Sequence, residues 1–324
     1  MLPARTARAQ ELAALEQQAR AEGGMMFYSG MDEPTSRALT DGFARKYGIR
    51  AQMFRAGSEI TPKYQLELHN KAVIADVVQE SNMPAFVQMA RSDQLAKWNP
   101  PEAVNLEPGL STPYFSVIGT IAFSWMWNTR QVDEANTPKS WNDFLRPEWQ
   151  GRLGMPDMDS SGSGPPLQWY YMMRQRLGLD YMRRLGQQKF RFYGIFGDLA
   201  NAVASGEVIA TPTMLSYYTL QLQRRGAPLQ DRLPDPTFVT DRPMALAKDS
   251  PHPAAGKLFL NYCLSKEGQE VLTKFFAIPS RRDVQVPAGI PLPGTFKALR
   301  IENWDEMAAQ TGALQDELRH FFKA

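Results

Sequence analysis

Residues Met25–Tyr47 read MMFYSGMDEPTSRALTDGFARKY, and their pattern sets the fold class. Met25 to Tyr28 is a short apolar run with aromatic character, the mark of a buried strand. A polar turn follows from Ser29 to Glu33. Pro34 then fits the first position of a helix, where its missing N–H costs nothing. Leu39, Phe43 and Tyr47 recur every four residues on one helix face, and Gly48 supplies a left-handed stop. Strand, glycine turn and helix form a βα unit. Its turn aims free backbone N–H groups beyond the carboxyl end of the strand, where open α/β sheets bind ligands. An ordinary βα turn without a ligand has the same pattern, so this unit alone assigns no function.

The pattern recurs twice. Ile49 to Met53 alternates as a strand, Arg55 to Glu59 is a second glycine-serine turn, and Ile60, Tyr64 and Leu68 share a helix face. Residues 73–78 (VIADVV) form a continuous run, as in a strand covered on both faces. Gln79 to Asn82 is polar, and Pro84 begins another helix. Three such units predict an α/β protein built on a mostly parallel sheet flanked by helices.

Further along, four prolines between residues 99 and 116 mark an irregular connection, and Ile118 to Thr129 reads as a long strand. Ser140 and Asp143 form a capping box. Leu153 to Met155 reads as a short strand. It runs into a loop holding Ser161, Gly162 and Ser163 ahead of a helix opened by Pro165 and Pro166, the best anion cradle in the chain. Ser-Gly linkers of the same composition are also common. A strand near Val208 to Thr211 leads to a loop that delivers Ser216, Tyr217 and Tyr218. Phe238 to Ala247 is extended and carries Pro243, which predicts an edge strand or a crossing between domains. Two helices from Pro253 to Phe276, a proline-rich loop over 279–293 and an amphipathic helix from Trp304 to Phe322 complete the chain.

Composition narrows the function. The 324 residues can bury a large core and suffice for two domains or one elaborated one, and a formal net charge of +2 with scattered basic residues gives no case for nucleic acid. Cys263 is the one cysteine, lies in an apolar helix pattern and reads as core. His69, His252 and His320 lack metal-ligand spacing. No nucleophile elbow, zinc-protease, Walker or dinucleotide motif occurs, so the expectation is that the chain is not an enzyme. No run of about 20 apolar residues predicts a membrane span. Residues 1–24 read as an amphipathic helix carrying Leu12, Leu15 and Ala19, not as a secretory signal. The chain is then either cytosolic or secreted with its leader trimmed.

Taken in order, a set of short segments resembles the periplasmic solute-binding proteins of ABC importers, specifically the ferric-iron-binding type and its organic-anion relatives. They are Tyr28-Ser29-Gly30, Arg55-Ala56-Gly57-Ser58, Ala75-Asp76-Val77 with Pro84-Ala85-Phe86, and Pro138-Lys139-Ser140-Trp141 with Trp149-Gln150-Gly151-Arg152. Ser161-Gly162, Gly206-Glu207, Tyr217-Tyr218 and Ser265-Lys266-Glu267-Gly268-Gln269 follow.

The resemblance implies a two-lobe type II fold joined by crossing strands. Lobe 1 would hold residues 1–115 and 240–290, lobe 2 residues 116–239, with a C-terminal helix over 300–324 packing on the lobes. It further implies a periplasmic monomer that closes by hinge motion on a small ligand and delivers it to a membrane permease driven by an ATPase.

For the ligand, the resemblance supplies a tyrosine pair, Tyr217 and Tyr218, and an anion loop at Ser161, Gly162 and Ser163. The family's iron-binding His falls on Asp32 and its Glu on Ser81, or on Glu80 if the register slips by one. Half of the iron shell is thus substituted. Ser29, Gly30, Gly57, Ser58, Ser81 and Asn82 add hydroxyl and N–H donors that suit a carboxylate, phosphonate or phosphate ester. Arg242 is a candidate bidentate partner for an anion, or a plain salt-bridge residue. The expected ligand is an organic anion with no cofactor. Ferric iron held by Tyr217, Tyr218 and Asp32 is the alternative, and the sensor domain of a transcription regulator is a second one.

Overall fold

The computed structural model describes residues 2–158, 164–292 and 294–323. The elements begin with α1 (Leu2–Glu22), β1 (Gly24–Ser29), α2 (Glu33–Tyr47), β2 (Arg50–Arg55), α3 (Ile60–His69), β3 (Val77–Gln79), α4 (Met83–Arg91) and β4 (Phe115–Asn128). Next come β5 (Gly154–Pro156), α5 (Pro165–Leu177), α6 (Leu179–Gly186), β6 (Arg191–Tyr193), α7 (Phe196–Ser205), β7 (Ala210–Leu215), α8 (Ser216–Gln223) and β8 (Leu229–Arg232). The chain closes with β9 (Thr237–Leu246), α9 (Pro253–Leu264), α10 (Lys266–Lys274), β10 (Ile278–Pro279), β11 (Ala298–Leu299) and α11 (Trp304–Phe322). Residues 1–120 with 241–293 form one compact unit, and 121–240 with 294–324 form another.

In the first unit the strand order is β2-β1-β3-β9-β4-β10. β1 pairs in parallel with both β2 and β3, whereas β9 runs antiparallel to β3 and β10 antiparallel to β4. Alternate side chains of this sheet feed two cores, which is why the strands read as continuous apolar runs. Phe27, Val77, Met244 and Leu246 pack with Leu39, Phe43 and Phe259 on one face. Tyr28, Val78 and Ala245 pack with Ile60, Tyr64 and Phe86 on the other. Phe27 and Phe43 lie 5.0 and 5.3 Å, ring to ring, from Phe259. Each such buried ring contributes about 1.5–3 kcal/mol. Buried Ala19 of α1 and buried Cys263 of α9 join the first core.

Two features depart from the sequence reading. The third strand is only Val77–Gln79, because Asp76 interrupts the apolar run. Its fully buried carboxylate accepts hydrogen bonds from the Met26 N–H at 2.7 Å, the His252 N–H at 2.7 Å and the Ser250 hydroxyl at 2.6 Å. His252 Nδ1 lies 3.1 Å away. The second feature is β9, which takes the crossing between the units that the sequence offered as one of two alternatives, and lies inside the sheet instead of at its edge. Pro243 is tolerated there beside β3 because the last β3 pair, Gln79 with Met244, stops one residue short of it.

In the second unit the far part of β4 pairs antiparallel with β7 on one side and β8 on the other, while β5 and β6 form a parallel pair. Met126, Leu199, Val203 and Met214 are among the buried residues of its core. α11 packs on α5 and α6, where the Tyr170 hydroxyl and the Arg174 guanidinium both donate to Glu317 at 2.6 and 2.8 Å. Ser140 and Asp143 form the expected capping box, on a single 3-10 turn.

Candidate ligand-binding site

Because β2, β1 and β3 are parallel neighbours, their carboxyl ends share one sheet edge. The structure therefore brings together the turns holding Ser29, Gly30 and Asp32, Gly57 and Ser58, and Ser81 and Asn82. The groups in these turns are not equally available to a ligand.

Ser29 is fully buried. Its Oγ lies 2.8 Å from Ser36 Oγ and accepts the Met31 N–H at 3.2 Å, so its hydroxyl serves the turn. Gly30 donates its N–H to the Gln79 carbonyl at 2.9 Å. A Cβ at Gly30 would come within 3.3 Å of Glu80 Cα, so a side chain there would press on the next turn. Asp32 is the N-cap of α2. Its carboxylate accepts the Thr35 N–H at 3.0 Å and the Thr35 hydroxyl at 2.8 and 2.9 Å.

Gly57 donates its N–H to the Glu59 carboxylate at 3.0 Å, and Ser58 is exposed. Asn82 caps α4 by accepting the Ala85 N–H at 3.4 Å, and Ser81 beside it is half-buried. Glu80 points into the protein. Its carboxylate accepts the Thr61 N–H at 3.1 Å and the Thr61 hydroxyl at 2.6 Å. Burial pushes its pKa up, against the opposing pull of Thr61 and Asn82. Arg242 sits on β9 and is buried, 5% exposed.

One residue at this edge escaped the sequence reading. Gln79 ends β3 and is fully buried, yet neither its Nε2 nor its Oε1 has a hydrogen-bond partner among the described residues. The available signal was a lone amide closing an apolar strand.

In the second unit, Ser161, Gly162 and Ser163 lie outside the described residues. The helix after them, α5, is opened by proline with Gly164 as its N-cap. Tyr217 and Tyr218 occupy the first turn of α8, not a loop as expected, because the helix begins at Ser216. Their rings stack at 4.4 Å with 29° between planes. Tyr217 is buried, and half-buried Tyr218 packs on the Leu199–Val203 core. Asp231 of β8 has its pKa pushed up to about 6 by burial, with Ser124 and Thr219 pulling the other way. Among the described residues, no group of three or more His, Cys, Asp or Glu side chains is placed to hold a metal.

The family model for the bacterial extracellular solute-binding protein matches residues 72–309. The chain belongs to this family. It is a solute-binding protein of the periplasmic ABC-transport kind and not an enzyme. Among its relatives is the Fe(3+)-binding periplasmic protein of Serratia marcescens, 24% identical over 270 residues, or 79% of this chain and 78% of the relative. A protein of Salmonella paratyphi A, named provisionally as a 2-aminoethylphosphonate-binding periplasmic protein, is 23% identical over 287 residues, 84% of this chain and 83% of its own length. Iron-bound HitA from Pseudomonas aeruginosa shares the two-lobe fold, with a TM-score of 0.79, 22% identity, and coverage of 91% of this chain and 99% of HitA.

Proposed function

We propose that this family member captures a small organic anion, a carboxylate, phosphonate or phosphate ester, and delivers it to a membrane permease powered by an ATPase subunit in the periplasm. One observation carries the choice of ligand. Asp32, which stands where the resemblance puts a metal-binding side chain, spends its carboxylate on Thr35 as a helix cap. The neighbouring positions favour the same reading. Ser81 replaces a carboxylate, and the Glu80 carboxylate is turned inward onto Thr61.

Neutral donors dominate this edge. Exposed Ser58 and half-buried Ser81 supply hydroxyl groups of the kind that hold an oxyanion without a metal. Arg242, buried on β9, is assigned to the same ligand. Ferric iron is the second reading, favoured by the tyrosine pair and by the iron-binding relatives.

A thermal-shift screen with ferric citrate, carboxylates, phosphonates and sugar phosphates tests the proposal. A specific ligand at 100 times its Kd stabilises the native state by about 2.7 kcal/mol. A shift with an organic anion in iron-free buffer supports the reading, and a shift confined to ferric citrate overturns it.

A further inference from the structure

Gln79 offers two N–H donors and one carbonyl acceptor from a fully buried position, and none of them has a partner among the described residues. Buried amides are nearly always paired, so an orphan of this kind calls for a reason. Its place in the sheet suggests one. Gln79 is the last residue of β3, level with Ser29 on β1 and with Met244 on β9. Residues level with each other in a sheet share a face, and so do residues two apart on one strand. Gln79 and Arg242 therefore project from the same face at the carboxyl edge of β3, and both are buried. This is the edge where Gly30, Ser81 and Asn82 emerge.

We propose that Gln79 is a specificity-determining residue and that the ligand carries an amino or hydroxyl group besides its oxyanion. The claim rests on the organic-anion reading above. Arg242 matches the oxyanion, since a guanidinium has donors only. The Oε1 of Gln79 accepts the N–H or O–H of the ligand, and its Nε2 donates to the oxyanion. An anion lacking the donor leaves Oε1 unpaired, and a site with an unpaired buried polar group rejects its ligand strongly.

The test uses two matched sets of probes, titrated calorimetrically into the full chain and into Gln79→Met. One set is 2-aminoethylphosphonate, 2-hydroxyethylphosphonate and ethylphosphonate. The other is β-alanine, 3-hydroxypropionate and propionate. The parent protein is expected to bind a donor-bearing probe at least about tenfold more tightly than its ethyl or propionate counterpart. In Gln79→Met that preference should collapse, while the ligand-free melting temperature holds or rises because an unpaired amide has gone. Gln79→Glu, nearly the same shape, should lose affinity for every probe by repelling the oxyanion.

Gln79→Met retaining both affinity and preference overturns the role of Gln79 and leaves the organic-anion reading standing. Equal binding of all three members of a set by the parent protein does the same. No binding of any probe by the parent protein overturns both. Failure of both variants to fold assigns the amide to the core and overturns the inference.

Discussion

The carboxylate of Asp32 closes on Thr35 through three contacts between 2.8 and 3.0 Å, and this pair fixes the start of α2. A side chain so engaged is a helix cap first. Asp32→Ala is expected to destabilise the protein by about 1 kcal/mol, whereas Asp32→Asn, a comparable cap, should cost almost nothing. Urea midpoints measure both. Ferric binding lost in the Asn variant with stability intact would restore Asp32 as a metal ligand.

Asp76 anchors the amino end of β1 and the approach to α9 from one buried position, with four contacts between 2.6 and 3.1 Å. Removing it strands the Met26 and His252 N–H groups. Asp76→Ala should cost about 3 kcal/mol or more, as for other broken buried networks. A loss below about 1 kcal/mol in denaturant titration would show that the network is dispensable.

Asp231 predicts a pH dependence of stability. Its folded pKa of about 6 lies above the ordinary 3.8, so the native state holds its proton more tightly than the unfolded chain. Stability from this group is present in full below about pH 4 and falls as pH rises through 6, by about 2–3 kcal/mol at most. Asp231→Asn should flatten that part of the profile and melt higher than the parent protein at pH 7.5. Parallel melting curves for the two proteins from pH 4 to 7.5 would refute the assignment.

The stacked pair Tyr217–Tyr218 separates the two ligand readings by eye. With phenolate ligands, ferric iron gives a visible charge-transfer band. The organic-anion account expects no such band when ferric citrate is added to the protein. A coloured protein that bleaches in the double variant Tyr217→Phe, Tyr218→Phe would hand the site to iron.

Much of the first unit was legible in the sequence because its signals are local. Four apolar residues, a polar glycine turn, a proline and a left-handed glycine fix β1, the turn and α2 without help from elsewhere. Gly48 has the expected φ of 68°. α11 was legible for the same reason, from its heptad-like stripe. The position of β9 was not. Pro243 argues for an edge by composition, and only the long-range pairing of Met244 with Gln79 shows that it lies inside the sheet.

The same pairing explains why Gln79 went unnoticed. Its burial depends on a strand more than 160 residues away. The structure brings the three turns of the first unit to one sheet edge, but their sequence does not tell an exposed hydroxyl from an engaged one. Ser29 and Ser58 look alike in sequence, and only packing shows that the first bonds Ser36 while the second is exposed. Tyr217 and Tyr218 read as loop residues in the sequence, whereas α8 begins at Ser216 with Leu215 as its N-cap and no capping side chain to mark the start.

The most direct test of the account is calorimetric titration of metal-stripped protein, in chelator-treated buffer, with the organic anions that shift its melting temperature. The account predicts one-to-one binding of at least one carboxylate, phosphonate or phosphate ester with no iron present. Heat of binding that appears only with ferric citrate would contradict it.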